Sequence, residues 1–358
     1  MSGAENISEV DANCTDLRNP EVLEKYNEAA GFINKAMDGV ISKLEAGKKI
    51  SELCTFGDLL ITRQCEIAYP KGKMEKGISF PTCLSVNNCV CHNSPYPEES
   101  TVLKAGDVVK IDMGCQLNGF CAVAAQTVVV PGAECPKADK LNDLMSAAYY
   151  MGELCEKMIA NGKKNNDITP LLGKIATAYG INIIQGTLMH QMKQYVIDGN
   201  KVIIAREDPN QKVDDCTFET NEVYAVDIAL SSGEGKPVQK GTRNMVYRKN
   251  VESTYLLKLK AARATLTEIN KKYPIFPFSL RCLKEKTARL GLKECISHNL
   301  LIDYPILYEK ESDMVVHYKF TLLLLPDGTT RITGNKIDIN NFKSDKSCTD
   351  KEVLDILA

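Results

Sequence analysis

Two aspartates stand inside apolar, strand-like runs of this chain, and their setting points most directly to chemistry. Asp112 lies in Lys-Ile-Asp-Met-Gly and Asp227 in Ala-Val-Asp-Ile-Ala, and each follows another acid, Asp107 or Glu222, at the same offset. A carboxylate on a buried strand is costly unless a cation faces it. The repetition indicates two related halves around one shared site. What faces the two aspartates decides whether this site holds metal or has lost it.

Composition sets broad limits on the protein. The 358 residues fit one large domain or two of ordinary size. A hydrophobic content of 44%, a charged content of 25% and a formal net charge of -2 are ordinary for a soluble protein and give no overall attraction to nucleic acid or membranes. No apolar run approaches the roughly 20 residues that span a bilayer. The start lacks a secretory pattern, so we expect the 14 cysteines to be reduced thiols.

Hydrophobic periodicity predicts a mixture of helices and strands. The helices are predicted, from apolar spacings of three and four, over 20–44, 51–69, 138–160, 166–180, 253–272 and 280–291. The strands are predicted over 78–92, 107–115, 119–130, 183–189, 222–231 and 314–325. The polar segment 201–221 is predicted to be an exposed loop. This order favours an α+β fold over strict βαβ alternation.

Several longer motifs resemble those of a known family. Phe80-Pro-Thr82 and Ser85-Val-Asn-Asn-Cys-Val-Cys-His92 resemble the substrate-side strand of type 2 methionine aminopeptidases, and the strands of Asp112 and Asp227 resemble their metal-carboxylate strands. The match is closer to a non-catalytic branch, the proliferation-associated or ErbB-receptor-binding proteins. The motifs that carry it are Gly77–Pro81, Asn87–His92, His190-Gln191, Val196–Gly199, Ser231–Lys236 and Tyr308–Lys310. The resemblance implies the pita-bread fold, in which two pseudo-symmetric halves surround a curved antiparallel sheet with helices outside.

The resemblance also implies a metal site. Aminopeptidases of this fold hold two divalent metals with two Asp, one His and two Glu, and the metals activate a water and polarise the peptide carbonyl. The corresponding positions in this chain are Asp112, Val123, His190, Asp227 and Lys319. Val123 offers no lone pair, and Lys319 brings a positive charge. Because divalent metals need oxygen, nitrogen or thiolate ligands, we expect these to be vestigial positions that hold no metal. No other cofactor is expected.

The lysine indicates what replaces the metals. We predict that Lys319 is a fixed internal cation that neutralises Asp112 or Asp227. The alternative is a single weak metal on Asp112, His190 and Asp227, which a nearby ammonium would repel.

The histidines leave further alternatives open. His92 matches the substrate-contacting histidine of the family, so it is either part of a vestigial substrate pocket or a hydrogen-bonded core residue. His190 is either a structural remnant or a surviving metal ligand. His298 and His317 match no ligand position, and we predict that they are structural or surface residues.

Basic residues supply the remaining functional clue. Lys and Arg in high density can neutralise RNA phosphates, which gives salt-sensitive and sequence-tolerant affinity. The candidate RNA or ribosome contacts are Lys71, Lys73, Lys76, Arg243, Arg248, Lys249, Lys258, Lys260, Arg263, Lys271 and Lys272. The alternative is a solvated helix face balanced by Glu268, Glu285 and Glu294. The family resemblance favours binding, because its members resemble RNA- and ribosome-associated factors.

These observations lead to one expectation and two alternatives. We expect a single aminopeptidase-like domain over 19–345, with halves 19–180 and 181–345 and a helical insertion over 253–305, between a flexible segment 1–18 and a C-terminal segment 346–358. We expect a non-catalytic monomer of the cytoplasm, with the nucleus as a second location, that binds ribosomes, structured RNA or proteins but no membrane, and acts in ribosome biogenesis, translation and growth regulation. The alternatives are a residual methionine aminopeptidase and a receptor that binds peptide N-termini without cleaving them.

Overall fold

The computed structural model describes residues 14–72, 74–241, 243–283 and 288–358. Most of the predicted flexible segment 1–18, and the candidate contact Lys73, therefore lie outside the described residues. Leu17, near the start of the described part, is buried in the core. No helix in these ranges combines the length and the apolar character needed to cross a bilayer.

The first half of the chain begins with two helices, continues with four strands and ends with two helices. Asn19 caps the first helix, because its side chain accepts a hydrogen bond from the backbone N–H of Glu21 at 3.0 Å, and Pro20 occupies the first helical position. The elements are α1 (Pro20–Ile41), α2 (Ile50–Ala68), β1 (Lys76–Val86), β2 (Cys89–Cys91), β3 (Val108–Leu117), β4 (Phe120–Val129), α3 (Ala138–Met158) and α4 (Ile168–Tyr179).

The second half contains more and shorter strands. Its strands are β5 (Asn182–Ile183), β6 (Leu188–Met192), β7 (Val202–Ile204), β8 (Val223–Ser231), β9 (Val238–Gln239), β10 (Val246–Lys249), β11 (Phe278–Ser279), β12 (Leu301–Tyr304), β13 (Leu307–Tyr308), β14 (Val315–Leu325) and β15 (Gly328–Arg331). Its helices are α5 (Lys260–Lys272), α6 (Ala288–Ser297) and α7 (Lys351–Leu357).

A large antiparallel sheet organises the molecule. Within the described residues its strand order is β1-β3-β4-β14-β8-β6-β7, with β15 beside β14 and β5 beside β8. The two halves meet where β4 pairs with β14, at Ala125 opposite Lys319. Asp112 on β3 also pairs with Ala125, and Asp227 on β8 pairs with Lys319. The two aspartate strands therefore lie on either side of this central pair, as the repeated sequence pattern predicted.

The helices pack on the sheet through two large apolar clusters. In the first half, α1 and α2 cover β1, β3 and β4 with buried residues such as Ile33 and Ile61. In the second half, α3, α4 and α7 cover β8 and β14 with residues such as Leu144 and Ile175. A smaller cluster joins α5 and α6 to a separate three-stranded sheet of β10, β11 and β12. This mixture of helices and antiparallel sheet confirms the predicted α+β class.

Several predicted boundaries were wrong, each for a local reason. The strand predicted over 78–92 is two strands, because Asn87 turns the chain with a φ of 52°. The strand predicted over 183–189 is likewise split into β5 and β6, and the predicted loop 201–221 contains β7. The helix predicted over 253–272 begins only at Lys260, since the Glu294 carboxylate binds the backbone N–H groups of Lys258 and Leu259 in an extended segment. The helix predicted over 280–291 is replaced by a short turn and by α6 from Ala288 onward.

Candidate functional site

The structure brings all six predicted pocket positions together in one cavity at the centre of the large sheet. The cavity has a volume of about 350 Å³. Each half of the sheet supplies part of its wall, and most of the remaining wall is apolar. The six positions are His92, Asp112, Val123, His190, Asp227 and Lys319.

Lys319 forms the central ion pair of the cavity. Its Nζ lies 3.0 Å from Oδ2 of Asp112 and 3.0 Å from Oδ2 of Asp227. Only 7% of the Asp112 side chain and 19% of the Asp227 side chain are exposed. The strand register explains this geometry, because Lys319 is the direct cross-strand partner of Asp227, and Ala125, which lies between Lys319 and Asp112, is small. The predicted internal cation is therefore present, and it contacts both carboxylates rather than one.

The surrounding charges keep this ion pair ionised. Burial opposes the charged form of Lys319, but the two aspartates outweigh it and raise the pKa of the ammonium. Burial also opposes ionisation of Asp227, but Lys319 and His317 together hold the pKa of this carboxyl well below its usual range. At neutral pH Lys319 is consequently a cation that faces the Asp227 anion.

His317 belongs to the site, although from the sequence a structural or surface role was predicted for it. Its Nε2 lies 2.7 Å from Oδ1 of Asp227, where it donates to the carboxylate. His317 and Lys319 are two residues apart on β14, so their side chains project from the same face of the sheet. That alternation is the signal that would have identified His317.

His92 and His190 line the cavity walls in uncharged form. Nδ1 of His92 lies 2.9 Å from the carbonyl oxygen of Pro305, and the ring packs edge-on against Tyr304. Nδ1 of His190 is buried and has no hydrogen-bond partner among the described residues. Burial lowers the pKa of both imidazoles. The contacts of His92 are those of a hydrogen-bonded residue in the cavity wall.

The donor set does not fit a pair of divalent metals. The covalently attached ammonium of Lys319 lies within 3.0 Å of both carboxylates, and the wall beside it is the aliphatic side chain of Val123. Metal ions at this place would meet a cation where they need a ligand. Within the part of the chain that the structure describes, no group of three or more His, Cys, Asp or Glu side chains is arranged to hold a metal.

Comparisons with known proteins identify the family. Residues 24–252 match the model of metallopeptidase family M24. This chain belongs to that family. It is 46% identical over 325 residues to ErbB-3 binding protein 1 of Solanum tuberosum, and the match covers 90% of this chain and 84% of that protein. It is 40% identical over 345 residues to proliferation-associated protein A of Dictyostelium discoideum, and the match covers 96% of this chain and 90% of that protein.

A solved structure agrees with the sequence relatives. The structure of a thermophilic Arx1 has a TM-score of 0.88 and 29% identity, and the match covers 95% of this M24 chain and 98% of that chain. The resemblance to the proliferation-associated branch is therefore confirmed, and so is the pita-bread fold.

The candidate RNA contacts of this M24 chain fall into two regions. Lys71 and Lys76 lie before and at the start of β1. The others follow β9 in the chain: Arg243 precedes β10, Arg248 and Lys249 end β10, and the rest lie on α5 or two residues before it. Three of these are engaged locally: Arg248 pairs with Asp198 at 2.6 Å, Arg263 donates to backbone carbonyls, and Lys272 pairs with Glu268. The exposed residues that form no ion pair with another described residue are Lys71, Arg243, Lys258, Lys260 and Lys271.

Proposed function

We propose that this M24 chain is a non-catalytic binding factor in which a lysine has replaced the metals of the peptidase site. The contact of Lys319 with both Asp112 and Asp227 carries the proposal. An ammonium supplies positive charge, but it has no exchangeable coordination position at which a water is activated or a carbonyl polarised. Its raised pKa also keeps it protonated, so it offers no general base at neutral pH.

We further propose that the binding partner is ribosomal or other structured RNA. The support is electrostatic: Lys260 and Lys271 are exposed on α5 and form no ion pair with another described residue. They lie eleven positions apart, which is about 16 Å along a helix and long enough to meet more than one phosphate. Exposed Lys258, two residues before α5, adds to the same region. The proposed setting is translation or ribosome assembly, in the cytoplasm and the nucleus.

Co-sedimentation with ribosomes over a salt series tests the RNA proposal. We expect association that weakens as salt rises, and a double variant Lys260→Glu with Lys271→Glu that binds more weakly and with a smaller salt slope. The matched control is Lys212→Glu, which reverses an exposed lysine in the loop after β7. If no association occurs even at low salt, or if the two variants behave alike, α5 does not bind RNA.

A residual metallo-aminopeptidase is the second candidate function. Two unpaired donor atoms favour it, because Oδ1 of Asp112 and Nδ1 of His190 find no hydrogen-bond partner among the described residues. Release of methionine from a Met-initiated peptide, in the presence of Mn²⁺, Co²⁺ or Zn²⁺, distinguishes the two functions. We expect no release above background. Metal-dependent release that Asp112→Asn abolishes would replace the non-catalytic proposal with an enzyme.

A further inference from the structure

The helical part of the second half exposes an unusual share of apolar side chains. Twelve large apolar residues are strongly exposed in the described chain, and six of them fall between residues 251 and 296. Leu256 is 88% exposed, the highest value of the twelve. Clustered exposure of this kind marks interaction sites, whereas scattered single residues do not. Five of them form what we call the insertion patch: Val251, Tyr255, Leu256, Leu259 and Leu290. Ile296 is left out, because it is two residues from Glu294 and therefore lies on nearly the opposite side of α6.

The extended segment before α5 lies along α6, which makes the insertion patch continuous. At one end, the side-chain amide of Asn250 donates to the backbone carbonyl of Asn299 at 3.0 Å. Next, the ring of Tyr255 stacks on His298, with centroids 3.6 Å apart. These contacts place Val251 and Tyr255 beside the C-terminal end of α6.

A second set of contacts continues the alignment toward the start of α6. The Glu294 carboxylate accepts from the backbone N–H of Lys258 at 2.9 Å and of Leu259 at 3.2 Å. Leu290 is one turn earlier on the same side of α6 as Glu294. From 298 back to 290 a helix rises about 12 Å. The insertion patch is therefore a strip roughly two helical turns long.

Positive charge borders this strip. Leu256, Lys258 and Lys260 follow one another at intervals of two residues at the end of this segment and the start of α5, and all three are exposed. Lys293 on α6 is exposed as well, and the Glu294 carboxylate binds backbone N–H groups rather than a lysine. An apolar strip with a cationic border complements an acidic amphipathic helix, whose leucine-like residues cover the strip while its carboxylates face the lysines.

An RNA strand fits the same strip less well. Bases bind proteins by stacking on aromatic rings and guanidinium planes, and most of the insertion patch is aliphatic. One face of Tyr255, its single aromatic residue, is already covered by His298. We propose that the insertion patch binds an acidic amphipathic helix of a protein partner. Lys258 and Lys260 border both surfaces, so substitution of the leucines rather than of the lysines separates this binding from RNA binding by α5.

Fluorescence anisotropy on the full chain tests the insertion patch. The probe is a labelled peptide of about 16 residues with Leu on one helical face and Glu elsewhere, a length of about 24 Å when helical. We expect the double variant Leu256→Ser with Leu259→Ser to bind it at least tenfold more weakly. The control is Ile67→Ser, which changes an equally solvated apolar residue on α2, 78% exposed, and should bind like the wild type.

Two further arms keep the outcome decisive. A permuted peptide of the same composition, without an amphipathic face, should bind at least tenfold more weakly than the probe. Lys258→Glu should lower the affinity for the probe peptide and reduce the salt dependence of its binding. The proposal fails if the probe does not bind, if the permuted peptide binds equally, or if the leucine variant keeps full affinity. It also fails if the leucine variant loses as much affinity for a structured RNA hairpin as for the peptide, because the strip would then belong to an RNA site.

Discussion

Replacing Lys319 with methionine leaves two buried carboxylates without their cation. At an effective dielectric constant of about 20, each 3.0 Å contact supplies roughly 5 kcal/mol of gross attraction, most of which offsets the cost of burying the charges. Removing one partner from such a pair leaves a buried charge uncompensated, which typically destabilises the folded state by about 3–5 kcal/mol. We therefore expect Lys319→Met to lower the free energy of unfolding by about 3–5 kcal/mol at neutral pH.

The pH dependence of this loss has a defined sign. In the wild type, Lys319 and His317 overcome burial and lower the pKa of Asp227, so its contribution is present above the unfolded pKa of about 3.9 and is lost as the pH falls through the folded value. In Lys319→Met the Asp227 carboxyl loses its ammonium, and we expect burial and repulsion from Asp112 to outweigh the remaining contact with His317 and to raise the pKa of Asp227. The folded variant then binds protons more tightly than the unfolded chain, so its stability falls as the pH rises from about 4 to 7.

Urea unfolding followed by far-UV circular dichroism measures both effects, since the chain contains 0 tryptophans for fluorescence. Lys310→Met is the matched control: Lys310 pairs with Glu234 at the surface, with 69% and 65% of the side chains exposed, and its loss should leave the unfolding midpoint unchanged. Adding Asp112→Asn and Asp227→Asn to Lys319→Met should recover stability by removing the stranded charges. If Lys319→Met is as stable as the control, or its loss does not depend on pH, the central ion pair is not a buried charge cluster.

Three other perturbations follow from the structure. Val123→Asp combined with Lys319→Glu restores two oxygen ligands, so we expect the double variant to retain Mn²⁺ through gel filtration, as measured by elemental analysis. Either single variant should retain less Mn²⁺. Equal retention by all three variants would contradict the assignment of these positions. Burial lowers the pKa of Lys110 to about 7, so the unfolded chain binds a proton that the folded chain lacks between about pH 7 and 10, and stability rises across this interval. Lys110→Met should remove that rise in urea midpoints, and an unchanged slope would refute it. Arg281→Met leaves Asp58 buried, since their side chains are 3% and 10% exposed, and should cost about 3–5 kcal/mol and speed amide hydrogen exchange around α5 and α6 more than around α3.

The sequence indicated the site because charge in an apolar strand is conspicuous. The repeated local patterns around Asp112 and Asp227 predicted a shared site, and the family resemblance placed Lys319 opposite them. The double contact of Lys319 was not predictable, because it depends on the pairing of β4 with β14 across nearly 200 residues of chain. His317 was overlooked even though a period of two along β14 puts it on the face of Lys319.

The segment before α5 shows how a helical pattern was misread. Its apolar residues Tyr255, Leu257 and Leu259 alternate, which is the period of an extended chain rather than of a helix. Their placement depends on Glu294, far along the chain, whose carboxylate replaces the hydrogen bonds that a helix would have supplied. Local periodicity carries no information about such a partner.

A crystal structure of the chain soaked in Mn²⁺, with anomalous diffraction recorded, most directly tests whether a lysine has taken the place of the metals. We expect no anomalous peak within coordination distance of Asp112 or Asp227, and we expect the Nζ of Lys319 within hydrogen-bond distance of both carboxylates. Two anomalous peaks bridged by these aspartates, with Lys319 turned away, would contradict this expectation.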